Sequence, residues 1–566
     1  MVRPAEERRF DAIVIGSGMT GGWAAKELTE LGLRTLVLEA GRPFDPGQDS
    51  REHLPVWRMP FRGKGDRRWV EAHQPIQRRS VFFDEWSHTS WIDDVESPYT
   101  TPPDKPFDWF RARLVGGKSI LWGRQVYRWS DLDFEANLRD GVAVDWPIRY
   151  RDLEPWYDRV ERFIGVSGQR EGLSQLPDGP FLPPMELNCV ERHVRDRMRE
   201  RFRGERTLTI GRVAVLTAPL AGRAACHYCG PCHRGCATRS YFSSANATLP
   251  AAQATGLLTL RPFTIVHGLD LDEGTGRLSG VRVVDARTRE TREYEARLVF
   301  LCASALESAR ILLNSRSRRF PDGLANSSGQ VGRNVMDHIK WGGGHGEFEG
   351  WEHSASVGAR PNGIYVPRFR NVVSREANFT RGYGFQGAAR RLDWQDRLGA
   401  RGVGPDLKRR LLEPGPWAMS FWGYGEMLPR EENRCTLHPT RVDAWGIPIL
   451  HVECSFGPNE LAIHRDMNVA AVEILEAAGA KNVRPEGRGP SVPGNANHEM
   501  GTARMGRDPR TSVLNGWNQA WDVPNLFVTD GSCMTSSGWQ NPSLTYMALT
   551  ARACHHAVEE LKRGRI

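Results

Sequence analysis

The segment DAIVIGSGMTGGWAAKELTELGLRTLVLEAG at residues 11–41 decides the fold. It begins as an apolar strand, turns through glycines, continues as a helix-forming run and ends in a second apolar strand. Gly16, Gly18 and Gly21 supply the G-x-G-x-x-G spacing, and Glu39 follows the second strand. Such a turn lets a helix N-terminus approach a pyrophosphate, while the later acid accepts ribose hydroxyls. The segment therefore predicts a β-α-β unit that binds a dinucleotide, and it leaves FAD and NAD open.

Later segments extend this unit into a larger α/β domain. We expect strands, from their apolar and β-branched runs, at 257–271, 279–286 and 297–303. The stretches rich in proline, glycine or arginine predict insertions over the scaffold, at 43–108, 172–188 and about 341–416. A chain of 566 residues is too long for one compact core, so we expect two or more domains.

The composition limits the classes of partner and compartment. A formal net charge of +8, from 76 basic and 68 acidic side chains, is a mild excess. The arginines are scattered rather than gathered into a stripe, so we expect no nucleic-acid partner. No apolar run approaches the roughly 18 residues of a spanning helix, and from the N-terminal segment we expect no export signal. We therefore expect no transmembrane segment and a cytoplasmic protein, or a periplasmic one carried by a partner subunit with an export signal.

Four of the ten cysteines fall within eleven residues, which indicates metal chemistry rather than a disulfide scaffold. Cys226, Cys229, Cys232 and Cys236 have the spacing C-x2-C-x2-C-x3-C, close to a bacterial ferredoxin run, with Ala237 in place of the usual proline. Zinc sites usually join two separated pairs across a longer loop. The spacing favours an iron–sulfur cluster, and the alternatives are zinc and cysteines that are unligated or disulfide-bonded.

Six further segments resemble, in family order, the signature regions of the glucose-methanol-choline (GMC) oxidoreductases. They are RARLVGGKSILWG at 111–123, LCASALESARILLNS at 301–315, VGRNVMDH at 331–338, NHEMGTARMG at 497–506, VPNLFVTDGS at 523–532 and QNPSLTYMALTARA at 540–553. Within the family the chain is most similar to bacterial sugar dehydrogenases and pyranose oxidases. This resemblance implies FAD and the oxidation of an alcohol, and it argues against an NAD-dependent dehydrogenase or a zinc-bearing nucleic-acid protein.

The resemblance also implies the domain plan: an α/β fold with a discontinuous Rossmann-like FAD-binding domain and an α+β substrate-binding domain. We expect the FAD-binding domain at 8–44, 108–128, 240–338 and 494–566. The remaining expected parts are a substrate-binding domain at 131–223 and 339–493, a cysteine-rich iron–sulfur loop at 224–239 and a lid or insertion at 45–107.

Family matching places His498 and Asn541 at the catalytic positions. An alcohol gives up hydride only as its hydroxyl proton leaves, so the site needs a base and a group that orients the oxygen. Histidine, with an ordinary pKa of about 6.5, is a suitable base near neutral pH. An asparagine amide can donate to the substrate oxygen or accept from it. The same pairing occurs in the similar pyranose oxidases and sugar dehydrogenases, whereas many relatives carry a second histidine.

The resemblance assigns further flavin contacts. In addition to the glycine turn and Glu39 they are Gly116, Gly117, Ser119, Trp122, Asp530 and Gly531. Pyranose oxidases tether the flavin through a histidine just before the tryptophan, and Leu121 has that position here, so we expect non-covalent FAD. For Asn334 and His338 we expect a structural role at the seam between domains.

The predicted substrate is a sugar or glycoside, since aromatic faces stack on pyranose rings. We expect four residues to reach it: Trp539, Gln540, Trp422 and Tyr424. The cysteine segment resembles that of iron–sulfur glycoside 3-dehydrogenases, which favours oxidation at carbon 3 of glucosides. The alternatives are a sugar oxidase of the pyranose-oxidase type, which uses oxygen, and a flavoprotein subunit like that of gluconate 2-dehydrogenase.

The same resemblance gives a path for electrons. Cys226, Cys232 and Cys236 match the C-x5-C-x3-C spacing of iron–sulfur sugar dehydrogenases, with Cys229 as a fourth ligand or a spare. A 3Fe-4S or 4Fe-4S cluster passes one electron at a time, so it favours a dehydrogenase that feeds a cytochrome or another acceptor. A small escort subunit is a further expected partner.

Overall fold

A computed structural model describes residues 8–50, 54–355, 358–373, 375–376, 378–394, 396 and 402–566. Its strands are β1 Arg9–Ile15, β2 Thr35–Leu38, β3 Thr209–Ile210, β4 Leu258–Arg261, β5 Thr264–Asp272, β6 Arg277–Asp285, β7 Thr291–Leu301, β8 Ile339–Phe348, β9 Ile364–Val366, β10 Tyr383–Arg391, β11 Trp417–Gly425, β12 Arg434–Val442, β13 Pro448–Glu453, β14 Lys481–Pro485 and β15 Leu526–Val528. Its helices are α1 Met19–Glu30, α2 Pro46–Asp49, α3 Arg67–His73, α4 Asp131–Phe134, α5 Ala136–Asp140, α6 Tyr150–Ile164, α7 Cys189–Arg201, α8 Leu249–Ala254, α9 Ala305–Asn314, α10 Gly404–Leu412, α11 Pro458–Ala477 and α12 Ser543–Lys562.

The first sheet contains the predicted β-α-β unit. Its strand order is β4-β2-β1-β7-β6-β5, with β15 also beside β7. The strands β4, β2, β1, β7 and β15 are parallel, and β5 and β6 join as antiparallel strands. The apolar runs of β1 and β2 are buried because helices cover such a sheet. The predicted α/β fold and the three later strand segments are confirmed.

The second sheet is antiparallel, with the order β14-β8-β11-β10-β9-β3. Helix α11 packs on one face, where added Cβ atoms at Gly423 and Gly425 would meet Met467. Side chains alternate along a strand, so Tyr424, between these glycines, points to the opposite face. On β10, Phe385 is buried in the core beneath α11. The next residue, Gln386, therefore points to the opposite face of the sheet, as Tyr424 does. The second sheet therefore presents polar side chains to the cavity described below.

The strands of the two sheets fall into different parts of the sequence. Those of the first sheet lie within 8–44, 240–338 and 494–566, and those of the second within 131–223 and 339–493. The β12–β13 hairpin is different, since Cys435, Leu450 and Val452 pack into the core of the first sheet. The exact domain boundaries stay a prediction.

Among the described residues, no helix is both long and apolar enough to span a bilayer.

Candidate active site

The three glycines of the turn meet three different requirements. Gly16 has φ +95°, and an added Cβ would lie 2.5 Å from the Cys302 carbonyl oxygen. An added Cβ at Gly21 would lie 1.8 Å from the Gly16 carbonyl oxygen, so Gly21 allows α1 to pack against the turn. Gly18 has φ −69° and no atom within 4 Å of such a Cβ, because it faces open space. The turn therefore leaves room for a pyrophosphate at the start of α1.

Glu39 is held beside this turn by backbone and hydroxyl donors. The Ser17 amide and hydroxyl donate to Oε2 at 3.1 and 2.6 Å, and the Gly41 amide donates to Oε1 at 2.8 Å. Burial raises the pKa of Glu39, while these hydrogen bonds oppose the rise. The carboxyl group is thus fixed at the position that the sequence predicts for a ribose contact.

A cavity of about 360 Å³ extends from the glycine turn into the space between the two sheets. The predicted flavin contacts that line it are Gly16, Gly18, Glu39, Gly117, Ser119, Trp122, Asp530 and Gly531, together with Leu121. Gly21 and Gly116 lie behind the lining and support it: the Gly116 amide donates to the Ser17 hydroxyl at 2.9 Å. A fixed acid, an open glycine turn and this elongated cavity fit FAD.

Asp530 joins the loop after β7 to the segment after β15. Its Oδ2 accepts from the Ser304 amide, and its Oδ1 accepts from the Ser532 amide, both at 2.9 Å. Burial raises the pKa of Asp530, and the hydrogen bonds oppose the rise. Gly531 must remain without a side chain, since an added Cβ would lie 2.3 Å from the Glu499 carbonyl oxygen. This close approach brings the loop that carries His498 against the flavin-binding segment.

The predicted catalytic pair meets at the inner end of the cavity. Asn541 Nδ2 lies 3.2 Å from His498 Nε2, and both residues line the cavity. Asp337 fixes the loop, because its carboxylate accepts from the backbone amides of Ala496 at 3.0 Å and His498 at 3.1 Å. Burial, together with the positive charges of Lys340 and Lys118, lowers the pKa of His498 well below 6.5. The imidazole of His498 is therefore neutral near neutral pH.

Two residues without a predicted catalytic role touch this pair. His338 Nδ1 lies 2.8 Å from His498 Nδ1, so this residue, expected only at the domain seam, lies in the site. Gln386 Nε2 donates to Asn541 Oδ1 at 2.6 Å. His338 lies in the family-like segment VGRNVMDH, which could have indicated a place in the site. Gln386 lies in no such segment, so nothing in the sequence indicated its contact with Asn541.

Two lysines add positive charge around His498. Lys118 Nζ pairs with Glu499 Oε2 at 2.7 Å. Lys340 Nζ donates to the Asn495 carbonyl oxygen at 3.0 Å, and burial lowers the pKa of Lys340 to about 8. Both lysines line the cavity. Their charges favour an anionic oxygen near the catalytic pair.

Of the four predicted substrate residues, only Tyr424 lines the cavity. Its ring centroid lies 5.8 Å from that of His498. Trp539 is buried in a stack with Tyr365, and Gln540 Nε2 donates to Asp133 Oδ2 at 2.9 Å. Trp422, on β11, is 39% exposed. The last three predicted substrate residues therefore lie outside the cavity lining.

The cysteine segment lies against the 45–107 insertion, where Asp84 Oδ2 pairs with His233 at 2.8 Å and with Arg234 at 2.7 Å. Cys226, Cys232 and Cys236 are half-buried beside an apolar cluster, and Cys229 is exposed. Within the described part of the chain, no three or more His, Cys, Asp or Glu side chains form a group that could hold a metal ion. The side chains as placed do not fit a cluster, so the mechanism below includes no step through one.

The depressed pKa of His498 predicts an unusual pH profile. A protonated imidazole cannot accept the hydroxyl proton, so on the acid side the rate falls only where His498 becomes protonated. We expect the rate constant of flavin reduction at saturating alcohol to stay level through pH 6.5 and to fall only well below it. Anaerobic stopped-flow measurements after short pH jumps, with circular dichroism as a check of folding, test this. A single ionisation at about 6.5, the ordinary histidine value, would contradict it.

Comparisons with known sequences show which family the chain belongs to. Profiles of the N-terminal and C-terminal regions of GMC oxidoreductases match residues 10–340 and 429–550. The 2-methyl-1,2-propanediol dehydrogenase of Mycolicibacterium austroafricanum is 30% identical, over 96% of this chain and 94% of that protein. The fructose dehydrogenase large subunit of Gluconobacter japonicus is 26% identical, over 98% of both chains. Paromamine 6'-oxidase of Streptomyces fradiae is 27% identical, over 98% of this chain and 92% of that protein.

Solved structures share the fold. Pyridoxine 4-oxidase from Mesorbium loti superposes with a TM-score of 0.59 at 17% identity, over 97% of this chain and 99% of that chain. A variant of the formate oxidase of Aspergillus oryzae gives a TM-score of 0.63 at 13% identity, over 98% and 99%. The profile matches cover more than half of the chain, and they include the glycine turn and His498. The chain therefore belongs to the GMC oxidoreductase family, whose members bind FAD, and it is an enzyme that oxidises a CH–OH group.

Proposed function

We propose that this enzyme is a dehydrogenase that oxidises a secondary hydroxyl of a sugar or glycoside, at carbon 3 in glucosides. The observation that carries the proposal is the His498–Asn541 pair, one base beside one amide at the inner end of the FAD cavity. Gln386, Lys340 and Tyr424 surround the pair with polar groups from the second sheet. Such an arrangement suits a substrate with several hydroxyls, and relatives named for fructose and paromamine support this choice.

The residues of this chain divide the chemistry between them. Bound FAD supplies the acceptor for the hydride. The hydroxyl proton of the substrate passes to His498 Nε2, whose depressed pKa keeps it unprotonated beforehand. Asn541 Nδ2 lies on the same side and can donate to the substrate oxygen. Lys118 and Lys340 stabilise the negative charge that develops on that oxygen as the proton leaves.

The substrate class is tested by anaerobic stopped-flow reduction of the bound flavin. The panel is methyl glucoside, glucose, fructose, gluconate and 2-methyl-1,2-propanediol, followed by NMR of the oxidised product. We expect the glucoside to give the highest limiting rate and a 3-keto product. A small diol that reduces the flavin faster than every sugar would refute the sugar assignment, and reduction by gluconate alone would favour the gluconate alternative.

The iron–sulfur prediction for residues 224–239 stays a prediction. In its favour, the Tyr228 amide donates to Cys226 Sγ at 3.4 Å, and Cys226, Cys232 and Cys236 pack against the same apolar cluster. The placement of the side chains does not by itself form a metal site. A natural acceptor such as a cytochrome, an escort subunit and the cellular compartment also stay predictions.

Metal analysis of anaerobically purified protein decides the cluster question. A cluster predicts three or four iron atoms per chain with equivalent acid-labile sulfide, and slow reoxidation of reduced flavin by oxygen. The variant Cys232→Ser should lose the iron while retaining FAD, and Cys189→Ser, altered outside the segment, is the matched control. Protein without iron that reoxidises rapidly in air would favour the oxidase alternative.

A further inference from the structure

A continuous run of hydrogen bonds passes through the catalytic pair and ends outside it on both sides. On one side, His338 Nε2 lies 3.0 Å from the Gly538 carbonyl oxygen, and His338 Nδ1 lies 2.8 Å from His498 Nδ1. On the other side, Gln386 Nε2 donates to Asn541 Oδ1 at 2.6 Å, and Asn541 Nδ2 lies 3.2 Å from His498 Nε2. The donor and acceptor of each link follow from the ends of the run.

The His338 side determines the proton on His498 Nδ1. A carbonyl oxygen only accepts, so His338 Nε2 must carry the hydrogen that it donates to Gly538. His338 is completely buried, and burial lowers its pKa to about 4, so the ring is neutral and Nδ1 holds a lone pair. The contact between the two Nδ1 atoms then requires a hydrogen on His498 Nδ1. A neutral His498 consequently has no hydrogen on Nε2.

The orientation of the Gln386 amide agrees with the same tautomer. Because Gln386 donates to Asn541 Oδ1, the amide nitrogen of Asn541 is the atom that faces His498 Nε2. That nitrogen is only a donor, so Nε2 must accept. Two separate parts of the fold, the segment before β8 and strand β10, thus agree with the same protonation state.

We propose that His338 and Gln386 are positioning residues that hold His498 in the tautomer with the hydrogen on Nδ1, so that Nε2 keeps its lone pair. In this structure the lone pair accepts from Asn541 Nδ2, and the hydroxyl of a bound substrate takes the place of that amide hydrogen. This inference rests on the proposed role of His498 as the base. The arrangement also suits the protonated product: the imidazolium still donates from Nδ1 to His338, while Nε2 carries the proton taken from the substrate. His338 orients the base and does not receive that proton.

Paired substitutions at His338 separate this role from simple packing. In His338→Gln the amide oxygen can accept from His498 Nδ1 and the amide nitrogen can donate to Gly538, so both links are replaced. His338→Leu fills similar space without either link. We expect the limiting rate constant of flavin reduction to fall about 100-fold in His338→Leu and to stay within about fivefold in His338→Gln. FAD content, melting temperature and the Kd of the substrate should change little in either variant.

At Gln386, a substitution can replace the hydrogen-bond donor by an acceptor. In Gln386→Glu, measured at pH 8, the carboxylate only accepts, so it turns the Asn541 amide and presents the amide oxygen to His498 Nε2. That arrangement favours the wrong tautomer. We expect the limiting rate constant of flavin reduction to fall about 100-fold in Gln386→Glu. In Gln386→Met, whose side chain neither donates nor accepts a strong hydrogen bond, we expect a fall of about 10-fold. Equal rates in the two Gln386 variants would overturn the proposal, as would equal rates in His338→Leu and His338→Gln.

A spectroscopic measurement distinguishes failure of this inference from failure of the proposed function. The enzyme with bound FAD is labelled with ¹⁵N-histidine, and the His498 ring signals are assigned by their absence in His498→Gln. Wild-type His498 should show a protonated Nδ1 and a bare Nε2, and His338→Leu should lose this state. A protonated Nε2 in the wild-type enzyme would overturn the inference, whatever alcohol the enzyme oxidises.

Discussion

His498→Ala is expected to lower the rate constant of flavin reduction by an alcohol about a thousandfold, the middle of the range for a lost general base. Asn541 and the two lysines remain in this variant, but none of them is placed to accept the hydroxyl proton. Asn541 has no basic nitrogen, Lys118 is held by Glu499, and Lys340 donates to the Asn495 carbonyl oxygen. Stopped-flow absorbance at the flavin bands under anaerobic conditions measures the rate directly.

His345→Ala is the matched control for this variant. His345 lies on β8 and contacts Ser420 on β11, and it is not part of the cavity lining. Its loss should leave flavin reduction within about twofold, as expected for a residue outside the site. FAD content should be unchanged in both variants. Unchanged flavin reduction in His498→Ala would remove His498 from the role of base.

Gly21→Ala is expected to abolish FAD binding and to destabilise the fold by about 3 kcal/mol, the cost of overpacking a tight contact. The added Cβ would lie 1.8 Å from the backbone oxygen of Gly16, so α1 must move away from the turn. A shift of α1 opens the site in which the helix N-terminus meets the pyrophosphate. Thermal unfolding and the flavin content of the purified protein are the measurements.

Gly18→Ala, three residues earlier, separates the two effects. Its Cβ meets no atom within 4 Å and its φ of −69° suits any residue, so the fold should keep its melting temperature without FAD. The same Cβ points into the space reserved for the cofactor, and we expect FAD affinity to fall at least tenfold. Wild-type FAD content and melting temperature in Gly21→Ala would contradict this account of the turn.

The first sheet was predictable because its information is local. One continuous segment contains strand, turn, helix and strand, and the turn is built from residues whose spacing has a known purpose. The pairing of His498 with Asn541 was predictable only through the family resemblance, since 43 positions separate them. Their contact depends on how the loop after β14 and the start of α12 meet in the folded chain.

The second sheet and its contribution to the site were not predictable in the same way. Gln386 reaches Asn541 from a strand 155 positions away, and its neighbours in sequence are core or small residues. For Trp539, closeness in sequence was misleading. It precedes Asn541 by only two positions and was therefore expected to reach the substrate. Gly538 turns the chain with φ +58°, and Trp539 points instead towards Tyr365 in the core. Proximity in sequence does not determine direction in a turn.

The central claim is that this enzyme removes a hydride from a carbon that bears a hydroxyl group, with bound FAD as the acceptor. The most direct measurement is the anaerobic visible spectrum of the purified enzyme during reduction by methyl glucoside and by the same sugar deuterated at carbon 3. We predict flavin bands that bleach with the sugar and bleach several times more slowly with the deuterated sugar. Purified protein without flavin, or flavin that no alcohol bleaches, would contradict the claim.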